Sequence, residues 1–510
     1  MPSFEKSSKR SAAWFRAGIC AIWLLSLALR FWGLGRFNTL VFDEVYYVKF
    51  AHNYLTQTPF FDGHPPLSKY LIAVGMWVGK QLPFGHDPVN GLAGGAYSPW
   101  SYRWLNALTG SLMPLVIAGM AYQLTRRYSY ALIAALFVAL DGMLLVESRY
   151  ALNNIYLIIF GLLGLWCLLL ALNSRRSLQR ELWLLLSGLS FGASAAIKWN
   201  GLWFLLGAYG LWASAWAVRG VRILQAKRME ELGTSAPVDT RRDDGKKSPL
   251  SQLTSLKPGQ IIFYLAVVPA LFYRVTWIPH LRLNPDSSFW ELQKQILTYH
   301  QRVGDGPRVH PYCSDWYTWL LMIRPVAYFY QVTQPGEPLP NGTSTLAATP
   351  GTVIYDVHAI GNPFLWWFST VAIIFVTGVL VLHAISWMTQ KSPQVASTLS
   401  SQNSSLALGL AELWLGGFLV VNYAANLVPW VPVTRCIFLY HYMGAGIFAT
   451  MAIAWLVDRW LCSTQPRLRT MGIGTILLIA LAFIFWMPIY LGLPLSPIEF
   501  QLRMWLPSWL

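Results

Sequence analysis

The chain has 510 residues, of which 55% are hydrophobic and 12% charged, and its formal net charge is +16. Soluble domains carry roughly 25% charged residues, so this composition excludes an ordinary soluble protein. The positive charge is better explained by the basic cytoplasmic loops of a membrane protein than by nucleic-acid binding, because the sequence has no basic stripe or nucleic-acid-reading motif.

Long apolar segments recur from one end of the chain to the other. Each is close to the length of about 20 residues that a helix needs to cross a bilayer. Because backbone groups in the bilayer core must bond within their own segment, these segments are predicted to be helices. The predicted fold is an all-α polytopic bundle of about eleven transmembrane helices, at 14–34, 102–124, 129–147, 151–172, 182–199, 201–218, 259–278, 364–387, 407–427, 437–457 and 471–492.

The distribution of Lys and Arg orients this bundle, because cytoplasmic loops are enriched in both. The N-terminus and the basic connections are predicted to be cytoplasmic, and two long loops external. The predicted units are a cytoplasmic tail at 1–13, helices one to six at 14–218 with an external loop at 35–101, a flexible cytoplasmic linker at 219–258, helix seven at 259–278, an external cap at 279–363, helices eight to eleven at 364–492 and an external tail at 493–510.

The first external loop contains one further apolar stretch, "LSKYLIAVGMWVGKQL" at 67–82. It is short for a span and has Lys near both ends, which is typical of an interfacial helix.

A charged segment follows the first predicted span, "FDEVYYVKFAHNYLTQTPFFDGHPPLSK" at 42–69. Asp43 and Glu44 are adjacent, so their side chains cannot face the same way and are expected to have separate roles. One would act as a general base and the other would orient a substrate. Asp62 is a candidate second carboxylate for a glycosidase-type pair, and His64 and Lys69, held by two prolines, are candidate substrate-positioning residues.

Further ionisable residues fall at the external ends of predicted spans. Snorkelling interfacial residues are one explanation. Their clustering on one side near an acidic loop also fits an anionic lipid headgroup, since Arg and Lys complement phosphate oxygens. The candidate phosphate ligands are Arg103, Lys198, Arg435 and His441, and the candidate positioning residues are Glu147 and Arg149, which could pair with each other. Arg30 and Asp141 receive no assignment.

The five cysteines have no metal-ligand spacing. Cys313 and Cys436 are both predicted to be external, where a disulfide is permitted. Two free thiols are the favoured interpretation and a disulfide that ties the cap to the tenth helix is the alternative. The remaining three are Cys20, Cys167 and Cys462.

Several enzyme motifs are absent from the sequence, namely the P-loop, G-x-G-x-x-G after a strand, G-x-S-x-G and H-E-x-x-H. No stretch fits the soluble α/β domain that a nucleotide-sugar donor normally requires. A lipid-linked donor needs no such domain.

Seven segments in chain order carry a resemblance to a known family: "FDEVYYVKFA", "FFDGHPPLSKYLIAVG", "YRWLNALTGSLMPL", "GASAAIKWNGLW", "HPYCSDWYTWLLMIRPVAYFY", "IGNPFLWW" and "FLYHYMGAG". Over about residues 14–460 the chain resembles the protein O-mannosyltransferases, which are membrane glycosyltransferases of the GT-C class. The resemblance implies transfer of mannose, with inversion, from a polyprenyl or dolichyl phosphate to Ser or Thr hydroxyls of a protein. It implies Asp43 and Glu44 as catalytic residues, Asp43 as the base, Arg103 at the donor phosphate, and no cofactor or metal.

Two departures indicate the bacterial type. The loop before the eighth helix is too short for the β-trefoil insertion of eukaryotic members, and Tyr46 stands where those members tend to have His. The resemblance therefore implies a bacterial inner membrane protein with its active site facing outward. No residue distinguishes mannose from another hexose.

Two other functions compete with this one. A GT-C enzyme that glycosylates a lipid such as lipid A is the nearer, and the "HPYCSDWYTWLL" and "IGNPFLWW" segments favour a protein acceptor over it. A transporter is the other, and it would place ionisable residues near the middle of the bilayer, whereas most of them here lie at one side.

Overall fold

The computed structural model describes residues 2–231, 249–334, 351–389 and 409–510. Helices dominate this part of the chain. The α-helices are α1 (Pro2–Phe31), α2 (Glu44–Leu55), α3 (Leu67–Gly79), α4 (Pro99–Ser111), α5 (Met113–Thr125), α6 (Tyr128–Ala139), α7 (Gly142–Arg149), α8 (Asn154–Asn173), α9 (Ser177–Ala195), α10 (Leu202–Glu231), α11 (Pro258–Ile262), α12 (Val268–Thr276), α13 (Ile278–Leu283), α14 (Phe289–Arg302), α15 (Pro363–Thr389), α16 (Leu410–Leu427), α17 (Met443–Leu461), α18 (Pro466–Leu491) and α19 (Pro497–Gln501).

Shorter elements complete the described part. A π-helical turn, Phe263–Val267, joins α11 to α12, and 3₁₀ turns lie at Trp199–Gly201, Pro249–Ser255, Trp316–Leu321, Val428–Trp430, Leu439–Tyr442 and Pro507–Trp509. The strands are β1 (Val326–Thr333), β2 (Val353–Ala359) and β3 (Pro494–Leu495).

Nine helical segments among the described residues are long and apolar enough to cross a membrane, and a tenth arises if α6 and α7, bent by 59°, form one span. Every predicted span overlaps a helix or a helix pair. Ser177–Ala195, the helix at the predicted fifth span, is not among the nine. The prediction of a polytopic helical bundle is confirmed, and the count of eleven is not.

Side-chain contacts identify two ends of the bundle. At one end, here called the site end, Arg149 bonds to the carbonyl of Gly33 and Arg103 to Glu44. At the opposite end Arg127 pairs with Asp458 at 2.9 Å, and Arg459 pairs with Glu412. Among the described residues, the connection at 126–127 lies at the opposite end, and the connections before α2 and before α8 lie at the site end. The threading of the chain through a membrane stays a prediction.

The centre of the bundle is formed by α8 and α17. The apolar windows of Asn154–Asn173 and Leu439–Leu461 are 78% and 83% buried, against 6% for that of α1. Small residues allow close packing here, since a Cβ atom at Gly164 would lie 2.5 Å from the ring of Phe191. The inner helices therefore form a rigid support for the loops at the site end.

The predicted cap contains a sheet that the all-α prediction missed. β1 and β2 pair antiparallel, and β3, from the predicted external tail, pairs antiparallel with β2. Phe329 of β1 packs on Phe37, with 4.2 Å between ring centroids. The strand-forming residues of "VAYFYQVT" and "VIYDVHA" find this sheet only because two distant loops meet.

Three other loop predictions have outcomes in the structure. The short helix predicted at 67–82 is present as α3. The predicted tail at 1–13 is part of helix α1. The predicted flexible linker at 219–258 is wrong in part, because α10 continues to Glu231 and Leu253 and Leu256 are buried; residues 232–248 of that linker lie outside the described part of the chain.

Cys313 and Cys436 form a disulfide, with 5.1 Å between their Cα atoms. The favoured interpretation of two free thiols was therefore wrong, and the alternative is correct. The bond joins the cap to the segment before α17. Cys20, Cys167 and Cys462 are free.

Candidate active site

Asp43 stands at the start of α2, at the site end of the bundle. It occupies the N-cap position, but its carboxylate makes no capping hydrogen bond. The preceding residue, Phe42, has a positive φ of 52° and stacks on Tyr328 with 4.1 Å between ring centroids. A left-handed conformation is uncommon for a bulky residue, and here the stacking holds it. The carboxylate of Asp43 is left available for another partner.

The surroundings of Asp43 suit a general base. Burial raises the pKa of Asp43 to about 6, while nearby Lys198 and a hydrogen bond from Tyr47 act in the opposite direction. A base whose pKa is close to the working pH is the most effective. Asp43 can therefore be ionised near neutral pH and still accept a proton.

Glu44 has a different environment and is fully buried. Its Oε1 accepts hydrogen bonds from Arg103 Nε at 2.9 Å and the Ala151 amide at 2.8 Å. Its Oε2 accepts from Arg103 Nη2 at 2.7 Å and the Val41 amide at 2.8 Å. These four bonds fill the carboxylate. The assignment of Glu44 as a catalytic residue is therefore corrected, because Glu44 fixes the loop that carries Asp43.

Arg103 is the partner that Glu44 requires. Its Nη1 donates to the carbonyls of Leu34 and Phe37, and its Nη2 donates to that of Thr39 as well as to Glu44. With Nε on Glu44, all five guanidinium donors are used. The prediction that Arg103 binds the donor phosphate does not fit this geometry, since no donor is left for it.

Glu147 and Arg149 do not pair with each other, which corrects the predicted contact. Arg149 donates to backbone carbonyls at the end of α1 and just after it, including those of Leu29 and Trp32 at 2.8 Å. Glu147 instead accepts hydrogen bonds from Asn154 at 3.1 Å and from the Tyr328 hydroxyl. Arg149 thus holds the end of α1, while Glu147 belongs to the site.

Hydrogen bonds through Asn154 connect the Glu147 carboxylate to the Lys198 ammonium group. Lys198 Nζ donates to Asn154 Oδ1 at 3.1 Å, and Asn154 in turn donates to Glu147. Lys198 and Glu147 are both close enough to Asp43 to interact with it electrostatically. The structure therefore brings together Asp43 from the first predicted external loop and Glu147 and Lys198 from the ends of two predicted spans.

Asp62 and Lys69 form a buried ion pair at 2.5 Å. Lys69 also donates to the carbonyls of His64 and Pro65. These contacts hold the "DGHPP" turn and leave Lys69 no role as a free cation. Asp62 still lies near Asp43, whose pKa it raises.

His64 lies in the same turn, and its ring is 5.2 Å from that of His300 in the cap. Burial, with help from Lys198, lowers the pKa of His64 well below its usual range. Burial also lowers the pKa of His300 to about 4. Both rings are therefore neutral near pH 7 and act as polar groups, not as cations.

Arg435 and Lys198 are the cations best placed for an anion. They are close enough to interact electrostatically, and Arg435 forms no salt bridge within the part of the chain that the structure describes. Arg435 is partly exposed and donates to the Cys436 carbonyl. Two neighbouring cations with unfilled donor capacity are suited to an anion, and their predicted role at the donor phosphate stays a prediction.

His441 is packed among aromatic rings. Its Nδ1 bonds to the backbone of Phe438, and its ring centroid lies 4.5 Å from that of Trp430. Its predicted phosphate contact stays a prediction.

Four residues of the site were not predicted from the sequence: Tyr47, Asn154, His300 and Tyr328. Tyr328 lies within the quoted "HPYCSDWYTWLLMIRPVAYFY" segment, so that signal was available. His300 carried no signal, because only the folded cap brings it to His64.

Arg30 and Asp141, which received no assignment, lie near one another, Arg30 in α1 and Asp141 between α6 and α7. Arg30 donates to Ser26, and Asp141 caps α7 by accepting from the Leu144 amide at 2.8 Å. Both contacts are structural. No cluster of metal-ligating side chains is found in the described ranges.

Two family models together match nearly the whole chain. Residues 20–283 match the family described as dolichyl-phosphate-mannose-protein mannosyltransferase. Residues 286–509 match the C-terminal four TMM region of protein-O-mannosyltransferase.

Named relatives are similar in sequence to this chain, and a solved structure is similar in fold. The chain is similar to the polyprenol-phosphate-mannose–protein mannosyltransferases of Mycolicibacterium smegmatis (25% identical, covering 98% of this chain and 93% of the relative) and Mycobacterium tuberculosis (24%, 98% and 92%). It also resembles the S. cerevisiae protein O-mannosyltransferase Pmt1-Pmt2 complex bound to the sugar donor, with a TM-score of 0.71 at 14% identity over 97% of this chain and 92% of that chain. This likeness supports the GT-C fold.

Proposed function

Because the chain belongs to the dolichyl-phosphate-mannose-protein mannosyltransferase family, we propose that it transfers mannose from a polyprenyl-phosphate carrier to Ser or Thr hydroxyls of exported proteins. The family model spans residues 20–283, more than half of the 510 residues. One observation in the site carries the proposal: the Asp43 carboxylate makes no capping bond, has a pKa raised to about 6 and stands beside Lys198, which in turn neighbours Arg435.

The proposed reaction is a single displacement. Asp43 accepts the proton of the acceptor hydroxyl while its oxygen forms a bond to the anomeric carbon of mannose. The bond between that carbon and the phosphate oxygen breaks, and the electron pair leaves with the polyprenyl phosphate. Attack from the face opposite the leaving group inverts the sugar. No separate general acid is required, because the leaving phosphate is a stable anion.

Lys198 and Arg435 are proposed to hold the phosphate throughout this step. Fixed cations in a partly buried site stabilise the developing charge without having to reorganise. The Asn154–Glu147–Tyr328 chain keeps Lys198 in place. Arg103 is not part of this proposal, because its donors are filled.

We place the protein in a bacterial inner membrane with the site end facing the exterior. The connections at the opposite end carry Arg126, Arg127, Arg175, Arg176 and Arg180, which supports a cytoplasmic position for that end. In this orientation the site meets exported proteins as they leave the membrane.

A direct assay separates a protein acceptor from a lipid acceptor. Purified protein in lipid nanodiscs receives radiolabelled polyprenyl-phosphate-mannose together with a Ser/Thr-rich peptide. We expect label in the peptide fraction. Label found only in a lipid product would favour the lipid-glycosylating alternative, which the family match does not support. Label retained on the donor in every fraction would reject the proposed transfer.

A further inference from the structure

An open groove of about 500 Å³ runs along the cap helix α14, beside the candidate active site. One wall is a single stripe of α14, where Glu291, Lys294, Thr298 and Arg302 follow one another at helical spacing. The facing wall is Phe61, which directly precedes Asp62. None of these residues belongs to the mechanism described above.

Tyr299 connects this groove to the catalytic aspartate. Its ring packs so closely on Gly63 that a Cβ atom there would lie 2.6 Å away. Its hydroxyl interacts electrostatically with Asp62, Asp43 and Arg435. The Tyr299 end of the groove therefore lies against the turn of Gly63 and near the carboxylate that would take the acceptor's proton.

We propose that this groove binds the acceptor polypeptide in an extended conformation, with the reactive Ser or Thr at the Tyr299 end. The inference deepens the proposed function and rests on it. The acceptor must bring a hydroxyl to Asp43, and this groove is an open surface of the described part of the cap whose Tyr299 end lies near that residue.

The size and chemistry of the groove fit a peptide. From Glu291 to Arg302 the stripe is about 16 Å long at 1.5 Å per residue, the length of about five extended residues. The stripe combines amide, hydroxyl and aromatic groups with side chains of both signs, as polypeptide recognition requires. Lys294 and Arg302 form no ion pair in the described part of the chain, so they are free to bind carbonyls or carboxylates.

A lipid donor fits this surface less well. Its phosphate has the two cations Lys198 and Arg435, and its polyprenyl chain requires an apolar surface. The groove wall is instead lined by charged and amide side chains such as Lys294 and Gln295. The acceptor is accordingly the one occupant to which the groove is assigned.

A matched pair of substitutions tests the groove without relying on turnover. Thr298→Trp fills the groove. Leu297→Trp places the same ring on the preceding residue, which is 49% exposed and does not line the groove. Binding of a fluorescent Ser/Thr-rich peptide with flanking Asp residues is measured by polarisation in nanodiscs. Binding of radiolabelled polyprenyl-phosphate-mannose is measured in parallel.

We expect Thr298→Trp to weaken peptide binding about tenfold or more, the effect of losing a central contact, with donor binding unchanged and Leu297→Trp like the wild type. Lys294→Glu, an exposed change that leaves folding intact, is expected to weaken binding of the same peptide. Equal peptide affinity in all four proteins would overturn the groove assignment. If the groove variants weaken peptide binding but the wild type transfers no mannose, the proposed function is rejected and the assignment of the groove to a peptide is kept.

Discussion

Asp43 and Glu44 are neighbours in the sequence, yet their carboxylates have different surroundings. Glu44 receives four hydrogen bonds that join its own loop to α4 and to the turn before α8. Asp43 makes no capping bond and has its pKa raised by burial. Their different surroundings fit the prediction that the two carboxylates face different ways, and their separate roles stay a prediction. The sequence could not show which carboxylate has all its acceptor sites filled, because the partners of Glu44 come from distant parts of the chain.

The raised pKa of Asp43 predicts a pH dependence. An ordinary Asp is ionised above about pH 4, whereas burial raises the pKa of Asp43 to about 6. The base is competent only when ionised, so transfer should decline as the pH falls through about 6. The check is kcat/KM for the peptide between pH 4.5 and 8. Residual transfer by Asp43→Asn should lack this acidic limb, and a limb near pH 4 in the wild type would contradict the environment assigned to Asp43.

Arg103 and Glu44 form a fully buried ion pair at 2.7 Å. Arg103→Ala leaves the Glu44 carboxylate without its partner, which should cost about 3–5 kcal/mol of stability. We expect a lower unfolding temperature and less folded protein, while the folded fraction binds donor with wild-type affinity. Arg36→Ala is the control, because Arg36 lies at the same end of the bundle and has no acidic partner within the described ranges. Loss of donor affinity at unchanged stability would restore Arg103 to the phosphate site.

Substitutions of Lys198 and Arg435 should weaken donor binding, in contrast to the loss of stability expected for Arg103→Ala. Arg435→Ala and Lys198→Ala each remove a cation from the proposed phosphate site, so donor binding should weaken about tenfold or more, as expected for a charge-assisted contact. Arg435→Lys should restore only part of the affinity, because Lys lacks the planar fork. Direct binding of radiolabelled donor checks this. Wild-type affinity in both alanine variants would move the phosphate elsewhere.

At the scale of elements, one of the places where the cap is held to the membrane helices is the seam at the Cys313–Cys436 disulfide. The Cys313–Cys436 disulfide is flanked by backbone hydrogen bonds from Ser314 to Ile437 and from Cys436 to Gly304, both 2.8 Å. Arg435 lies directly beside this seam. The attachment of the cap and the position of one proposed phosphate ligand thus depend on the same few residues.

Removing the disulfide should loosen the cap. The double change Cys313→Ser and Cys436→Ser is expected to lower stability by about 2–4 kcal/mol, the usual contribution of such a bond. Limited proteolysis should then cut the cap faster, and donor affinity should fall because Arg435 loses its support. Cys462→Ser, which changes a free and exposed thiol, is the control and should have no effect. Unchanged proteolysis of the double variant would show that the flanking bonds alone suffice.

The helices were easier to predict than the cap. Each membrane helix is encoded by its own apolar segment, so every predicted span overlaps a helix. The strands β1, β2 and β3 instead come from two loops far apart in the chain. α9 illustrates the boundary between the two cases, because it is helical and packed in the bundle but not apolar enough to be among the nine candidate spans.

For the whole molecule, loops of the described part of the chain gather the candidate site at one end of the bundle. Asp43, Lys198, Tyr328 and Arg435 come from four connections that meet only in the folded chain. The seven landmark segments indicated these regions from sequence alone. Which side chains pair with one another could be seen only in the structure. The contacts of Arg103 and Arg149, which differ from those predicted, demonstrate this.

The central claim is mannose transfer to protein with Asp43 as the base. The most direct test is mass spectrometry of a Ser/Thr-rich peptide after incubation with polyprenyl-phosphate-mannose and either the wild type or Asp43→Asn in nanodiscs. The claim predicts one hexose on Ser or Thr with the wild type, and a rate about 10²–10⁴-fold lower with Asp43→Asn at unchanged donor binding. An unmodified peptide with the wild type, or equal modification by both proteins, would contradict it.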